Sequence, residues 1–120
     1  TTTWGVDLHF PIRQDGFLDE PFLSRAHIQD IKPNQVPYRC LYSRNVENLF
    51  MAGRNISVTH VALGTVRVQR TTGMMGEVVG MAASICKDKG VNPRDLFSKY
   101  FTRLKQLMQE PIGNPGWEAE

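Results

Sequence analysis

The sequence predicts an α+β chain, with strands and loops in its first half and two helices in its second. Three observations carry this: a period-two apolar pattern near the start, two β-rich runs in the middle, and apolar residues at three- and four-residue steps towards the end.

Trp4, Val6, Leu8 and Phe10 alternate with Gly5, Asp7 and His9, as in a half-buried strand, and Pro11 ends the pattern. Pro11, Gly16, Pro21 and Pro33 punctuate the first 35 residues, so short strands and loops are expected there. Phe17-Leu18 and Phe22-Leu23 read as apolar anchors on an irregular segment, and residues 24–31 as a helical turn. Residues 36–44 (VPYRCLYSR) alternate and are rich in Tyr, Val and Leu, which predicts a strand. After a polar turn at 45–48, the apolar run Leu49-Phe50-Met51-Ala52 stops at Gly53 and reads as a strand buried on both faces. The two runs make a strand pair across about 36–53.

The last helix, about 93–109, has Asn92 at its N-cap, Pro93 at its first position and Asp95 placed to reach back as in a capping box. Leu96, Phe97, Tyr100, Phe101, Leu104, Leu107 and Met108 form one apolar stripe, which Pro111 and Gly113 close. The helix before it spans about 70–88, with Gly90 as its C-terminal cap. Gly73, Gly76 and Gly80, followed by Ala83 and Ser84, put almost no side chain on one of its faces. Met74, Met75, Val78, Val79 and Met81 supply the core-facing surface. Each interior Gly weakens a helix by roughly 1 kcal/mol relative to Ala, so something must approach that backbone closely. Two readings stay open: a neighbouring helix or strand packs there, or a flat or phosphate-bearing ligand lies over the helix start.

Composition narrows the function. The 120 residues (13.6 kDa) suit one domain, and 41% hydrophobic with 22% charged residues is ordinary globular make-up. A net charge of +2 is too small to make nucleic acid or an anionic membrane the default partner. No apolar run is long enough to span a bilayer. His9, His27 and His60 are scattered, and Cys40 and Cys86 form no metal-ligand spacing, so no metal is expected. The two cysteines are also free to pair with each other.

Charge is uneven within that small total. No carboxylate occurs between Glu47 and Glu77, a stretch that holds Arg54, His60, Arg67 and Arg70 and ends at the glycine-faced helix. Guanidinium charge beside the positive end of a helix dipole, with Thr71, Thr72 and Gly73 adding hydroxyls and bare backbone, points to an anion or cofactor site. The opposing reading is that Arg54 and Arg67 only pair with carboxylates elsewhere in the chain. His60, among Val58, Val61, Ala62 and Leu63, is by composition more typical of a hydrogen-bonded structural residue than of a catalyst.

Three segments carry a resemblance. They are Asn48-Leu49-Phe50-Met51-Ala52-Gly53-Arg54, the stretch from Thr59-His60-Val61-Ala62-Leu63-Gly64 to Arg67, and the stretch from Thr71-Thr72-Gly73-Met74-Met75-Gly76 to Ala83. In this order and spacing the chain resembles the C-terminal part of bacterial FAD-dependent oxidoreductases, broadly related to fumarate reductase and succinate dehydrogenase flavoproteins. Pro37-Tyr38-Arg39-Cys40-Leu41-Tyr42 joins the match, and residues 7–11 extend it. The resemblance implies that FAD is the cofactor, with hydride transfer between a substrate carbon and the flavin. Gly53, Arg54, Thr71, Thr72, Gly73, Met74, Met75 and Gly76 would contact it. His60 and Arg67 would lie on a loop at the substrate site, as candidates for acid–base and polarising roles.

The chain departs from that family at one point. It contains no Gly-x-Gly-x-x-Gly, the loop that holds a dinucleotide pyrophosphate. Residues 1–110 are therefore expected to be a C-terminal segment and 111–120 a flexible tail. The expected partners are the missing N-terminal nucleotide-binding half and a small-molecule substrate, with FAD bound weakly or not at all by this piece alone. The alternative is a non-enzymatic module that binds an anion or a partner protein through the Arg54–Arg70 loop.

Overall fold

The computed structural model describes residues 1–11 and 24–110. The expectations for Phe17-Leu18, Phe22-Leu23 and the tail at 111–120 lie outside them. Two antiparallel strands are followed by a single-turn 3-10 helix and four α-helices.

Strand β1 (Val6–Pro11) follows the alternation, with Val6 and Leu8 buried. Trp4 and Phe10, on the same parity, stay about half exposed. Its partner β2 (Ser24–Gln29) replaces the expected helical turn, in the register Val6↔Gln29, Leu8↔His27 and Phe10↔Arg25. Every residue of β2 is exposed; among the described residues the backbone ladder to β1 holds it, and no core pattern marks it in the sequence. Thr2 extends this edge through a paired bridge to Asn34 (2.8 and 3.1 Å).

The strand pair expected over 36–53 is reduced to one bridge, Tyr42↔Phe50. Before it, Tyr38–Leu41 forms the 3-10 helix. Pro37, with φ −63° and no N–H to donate, starts that turn. The three-residue spacing then stacks Tyr38 and Leu41 on one side, both buried. Leu49 is exposed and Phe50 half-buried, so residues 49–52 are not a strand buried on both faces.

Helix α1 (His60–Val66) stands where a loop was expected. The Thr59 hydroxyl caps it by accepting the Ala62 N–H (3.3 Å). Gly64 lets it lie directly on β1: a Cβ there would sit 3.0 Å from the Asp7 carbonyl oxygen and from Leu8 Cδ2.

Helix α2 (Gln69–Lys89) matches the predicted span, and Gly90 caps it in the left-handed region (φ 61°, ψ 39°). Met75, Ala82 and Ile85 enter the core, while Val78, Val79 and Met81 are half-buried and Met74 is exposed.

The expected last helix divides at Tyr100 (φ −132°, ψ 14°) into α3 (Pro93–Lys99) and α4 (Phe101–Leu107). Hydrogen bonds from Tyr100 N–H to Leu96 (2.8 Å) and from Leu104 N–H to Tyr100 (3.2 Å) still run across the break. Leu96 and Leu104 are fully buried, whereas Phe97 leaves the buried stripe and stacks on Tyr38 (6.1 Å, 8°). Pro93 holds the first position, but the capping box does not form. The Asn92 side chain makes no capping bond, and Asp95 lies 3.7 Å from Lys99 instead.

Tyr38 donates its hydroxyl to the Pro93 carbonyl (2.8 Å) inside this aromatic cluster. Burial, then the neighbouring Cys86 and Tyr42, push its phenol well above the usual tyrosine range. Burial and then Asp95 likewise push the Cys86 thiol up. Both groups are neutral acids that hold their protons more tightly when folded. The unfolded chain therefore releases protons first as pH climbs, and stability falls. A melting temperature that declines progressively above about pH 9 is expected, with Tyr38→Phe making the alkaline part of the decline shallower. Thermal scans between pH 7 and 11 check this, and a flat profile would contradict it.

Candidate functional site

The site is built where α1 ends and α2 begins. Arg67, the C-cap of α1, donates to the Asp7 carboxylate (2.8 Å) and to the Asp7 carbonyl (3.3 Å) on β1. The pairing reading thus holds for Arg67. The other Asp7 oxygen is shielded, 3.1 Å from His9 Nε2, and no aligned hydrogen bond reaches it among the described residues. Asp7 and His9 were missed as site residues, although their two-residue spacing on β1 was the available signal that they share a face.

His60 is the first residue of α1 and is exposed, its ring edge-on to Phe10 (5.5 Å, 84°). It stands at the opposite end of α1 from Arg67, whose guanidinium is turned to Asp7. Arg54 is exposed in the turn that follows Gly53, and Arg70 is exposed in the first turn of α2. Gly53 adopts φ +99°, which a side chain would strain, so local geometry alone accounts for that glycine.

Helix α2 divides the remaining predicted contacts between two sides. Thr71 and Met75 point inward. The Thr71 hydroxyl meets that of Thr2 (3.5 Å), which itself donates to the Thr65 carbonyl (2.7 Å). Thr72 bonds back to the Gln69 carbonyl (2.9 Å). Neither hydroxyl points out as a free donor. Gly73, Gly76 and Gly80 face the other way, and a Cβ at any of them would meet nothing within 4 Å. The packing reading of the glycine face therefore finds no neighbour among the described residues. The buried hydroxyl of Thr2 anchors the chain start beneath this corner. Thr2→Val should lower stability by about 1–3 kcal/mol, by leaving the Thr65 carbonyl unpaired. The exposed neighbour Thr3→Val should stay within about 0.5 kcal/mol. Urea denaturation of both variants checks the difference.

The first turn of α2 holds no acid and has no side-chain cap, while Lys87 and Lys89 lie in its last turn. Its unpaired N–H groups and the positive end of the dipole of a 21-residue helix open beside Arg70. Such a start, running into a bare glycine face, suits a protein that receives a flat, anionic group against backbone.

The chain belongs to the FAD-dependent oxidoreductases, a family of enzymes: the family model described as FAD dependent oxidoreductase matches residues 1–108. No curated protein and no solved structure matches it. Among the described residues nothing lies within 4 Å of where a Cβ at Gly73, Gly76 or Gly80 would stand, so this face is open beside an acid-free helix start. Among the described residues there is no group of three or more His, Cys, Asp or Glu able to hold a metal, and Cys40 and Cys86 are free thiols. No described helix is long and apolar enough to cross a membrane.

Proposed function

We propose that this chain is the C-terminal segment of a bacterial FAD-dependent oxidoreductase of the broad fumarate reductase and succinate dehydrogenase type. In this reading it supplies flavin-edge contacts and part of the substrate wall, and it works with an upstream nucleotide-binding half. The observation that carries the reading is the open glycine face on α2, beside a helix start that offers N–H groups and no competing acid. The absence of any Gly-x-Gly-x-x-Gly supports the division of labour, because the pyrophosphate then needs a cradle elsewhere.

When bound, FAD supplies the redox capacity by accepting a hydride equivalent from a substrate carbon. The residues of the chain do the rest. Gly73 and Gly76 admit the ring edge to bare backbone, and the α2 dipole with Arg70 stabilises negative charge there. Met74, though exposed, lines a groove with Phe101 and Leu104 rather than the glycine face, so it takes no part in this contact. Arg54 lies exposed in the turn leading towards α1 and adds positive charge for an anionic substrate or cofactor. His60 presents an accessible imidazole able to hold or release a proton. Arg67 acts as a positioning residue, its bridge to Asp7 fixing α1 against β1 and so the line along which His60 stands.

The test is flavin content. The 120-residue chain purified alone should be colourless or lose its flavin on gel filtration. The same chain produced with its upstream half should retain one flavin per molecule. Stoichiometric yellow protein from the chain alone would overturn the segment reading, and an upstream sequence without a strand–Gly-x-Gly-x-x-Gly–helix unit would do the same.

A further inference from the structure

Asp7 and His9 stand two residues apart on β1 and so share one face of the strand pair. Their cross-strand partners on β2 are Ile28 and Ala26, whose side chains carry no polar atom. Neither can satisfy the carboxylate or compete for the imidazole. Arg67 reaches the carboxylate from α1 and donates to Oδ2 at 2.8 Å. The second oxygen, Oδ1, is shut off from solvent and takes no aligned hydrogen bond from any described residue. His9 Nε2 lies 3.1 Å from it.

A shielded oxygen left without a donor costs about 1–3 kcal/mol, and more when it carries charge. A small rotation of the His9 ring aligns its Nε2–H with Oδ1 and removes that cost. Catalytic hydrogen bonds are often poorly aligned until a substrate is in place. With Nε2 holding its proton towards Asp7, the neutral ring has its lone pair at Nδ1, because the bond made by one ring nitrogen fixes the state of the other. The His9 side chain is 52% exposed against 21% for Asp7, so an accessible imidazole stands in front of a sheltered carboxylate. Arg67 balances the Asp7 charge and keeps the carboxylate from turning away. It also lies two residues before Gln69, which ties the pair to the corner where α2 starts.

His60 has no such support. Its ring meets the edge of Phe10, and no carboxylate pairs with it among the described residues.

We propose that His9, oriented by Asp7, is the proton-accepting group of this segment ahead of His60, its Nδ1 taking the proton of a substrate group held over the open face beside Ile28. In the transfer the substrate bond to hydrogen breaks and its electron pair stays on the substrate. The proton joins Nδ1, giving an imidazolium whose other N–H faces Asp7. The role in turnover rests on the oxidoreductase reading, whereas the orientation of the imidazole belongs to the flavin-free chain.

Two measurements on that flavin-free chain test it. Ring-nitrogen NMR of the chain labelled with 15N-histidine, under alkaline conditions, should show His9 in one neutral form, with the proton on Nε2 and Nδ1 bare. His27, exposed on β2, is the internal reference and should show averaged nitrogens, so this comparison needs no variant. The second probe is 5-nitrobenzisoxazole, which opens to a coloured phenolate when a base removes its carbon-bound proton. The wild-type chain should open it several-fold faster than His9→Gln, and His27→Gln should match the wild type. Averaged nitrogens at His9, as at His27, would overturn the proposal, and so would a His9→Gln chain as fast as the wild type. Neither measurement involves flavin, so a failed flavin titration leaves both results standing and their failure leaves the flavin reading untouched.

Discussion

Alanine at Gly73, Gly76 and Gly80 together should raise the stability of the flavin-free protein while lowering its hold on flavin. Each substitution sits in the interior of α2 and adds a Cβ that meets no atom within 4 Å. Backbone entropy then favours alanine by roughly 0.5–1 kcal/mol per position, about 1.5–3 kcal/mol in all. For a chain of 120 residues that corresponds to a rise in melting temperature of about 10 °C. On the proposed reading, the flavin edge is what approaches that face. Three methyl groups standing in that space should weaken flavin retention by tenfold or more, about 1.4 kcal/mol. Thermal scans of the flavin-free protein and flavin titration of the complete protein read the two effects separately. Unchanged flavin affinity in the stabilised triple variant would move the cofactor away from this face.

The same substitution one helix earlier should act in the opposite direction. A Cβ at Gly64 would lie 3.0 Å from the Asp7 carbonyl oxygen, 3.0 Å from Leu8 Cδ2 and 3.1 Å from the Asp7 nitrogen. Two of those neighbours are backbone atoms of β1 and cannot rotate away. Overpacking of this kind typically lowers stability by about 1–3 kcal/mol, against a helix gain of only about 1 kcal/mol. Gly64→Ala should therefore lower the urea midpoint clearly. The shift of α1 should also disturb the Arg67–Asp7 bridge, which joins the same two elements. A Gly64→Ala protein as stable as the wild type would contradict the close approach of α1 to β1.

These two results explain what could and could not be seen in the sequence. Glycine spacing on α2 marked a face without side chains, but spacing carries no information about what lies opposite. Among the helical glycines described, the one that admits a neighbour is Gly64, in a seven-residue helix whose Val61, Thr65 and Val66 are poor helix formers. Its helical state comes from the Thr59 cap, a local bond to Ala62, and from its seat on β1, which depends on tertiary structure. The long helix was legible because its apolar period and Gly90 cap are local signals. β2 was not, since a fully exposed strand has no burial pattern. Residues 36–44 alternate as a strand does, yet Pro37 turns them into a 3-10 helix. At the site, the acid-free run and the helix start were visible. The partner of Arg67 was not, because it lies 60 residues away at Asp7, and neither was that of Thr71, 69 residues away at Thr2. Nothing local distinguishes an arginine waiting for an anion from one already paired.

The most direct test of the flavin-edge role is amide hydrogen exchange across α2 in the complete protein, with FAD bound and after its removal. The N–H groups of the first turn have no helical acceptor behind them, so they exchange readily when nothing covers them. Slowed exchange at Gln69, Arg70 and Thr71 on FAD binding, extending to Gly73 and Gly76, is the expected result. Unchanged exchange across residues 69–76, with protection appearing only elsewhere, would contradict it.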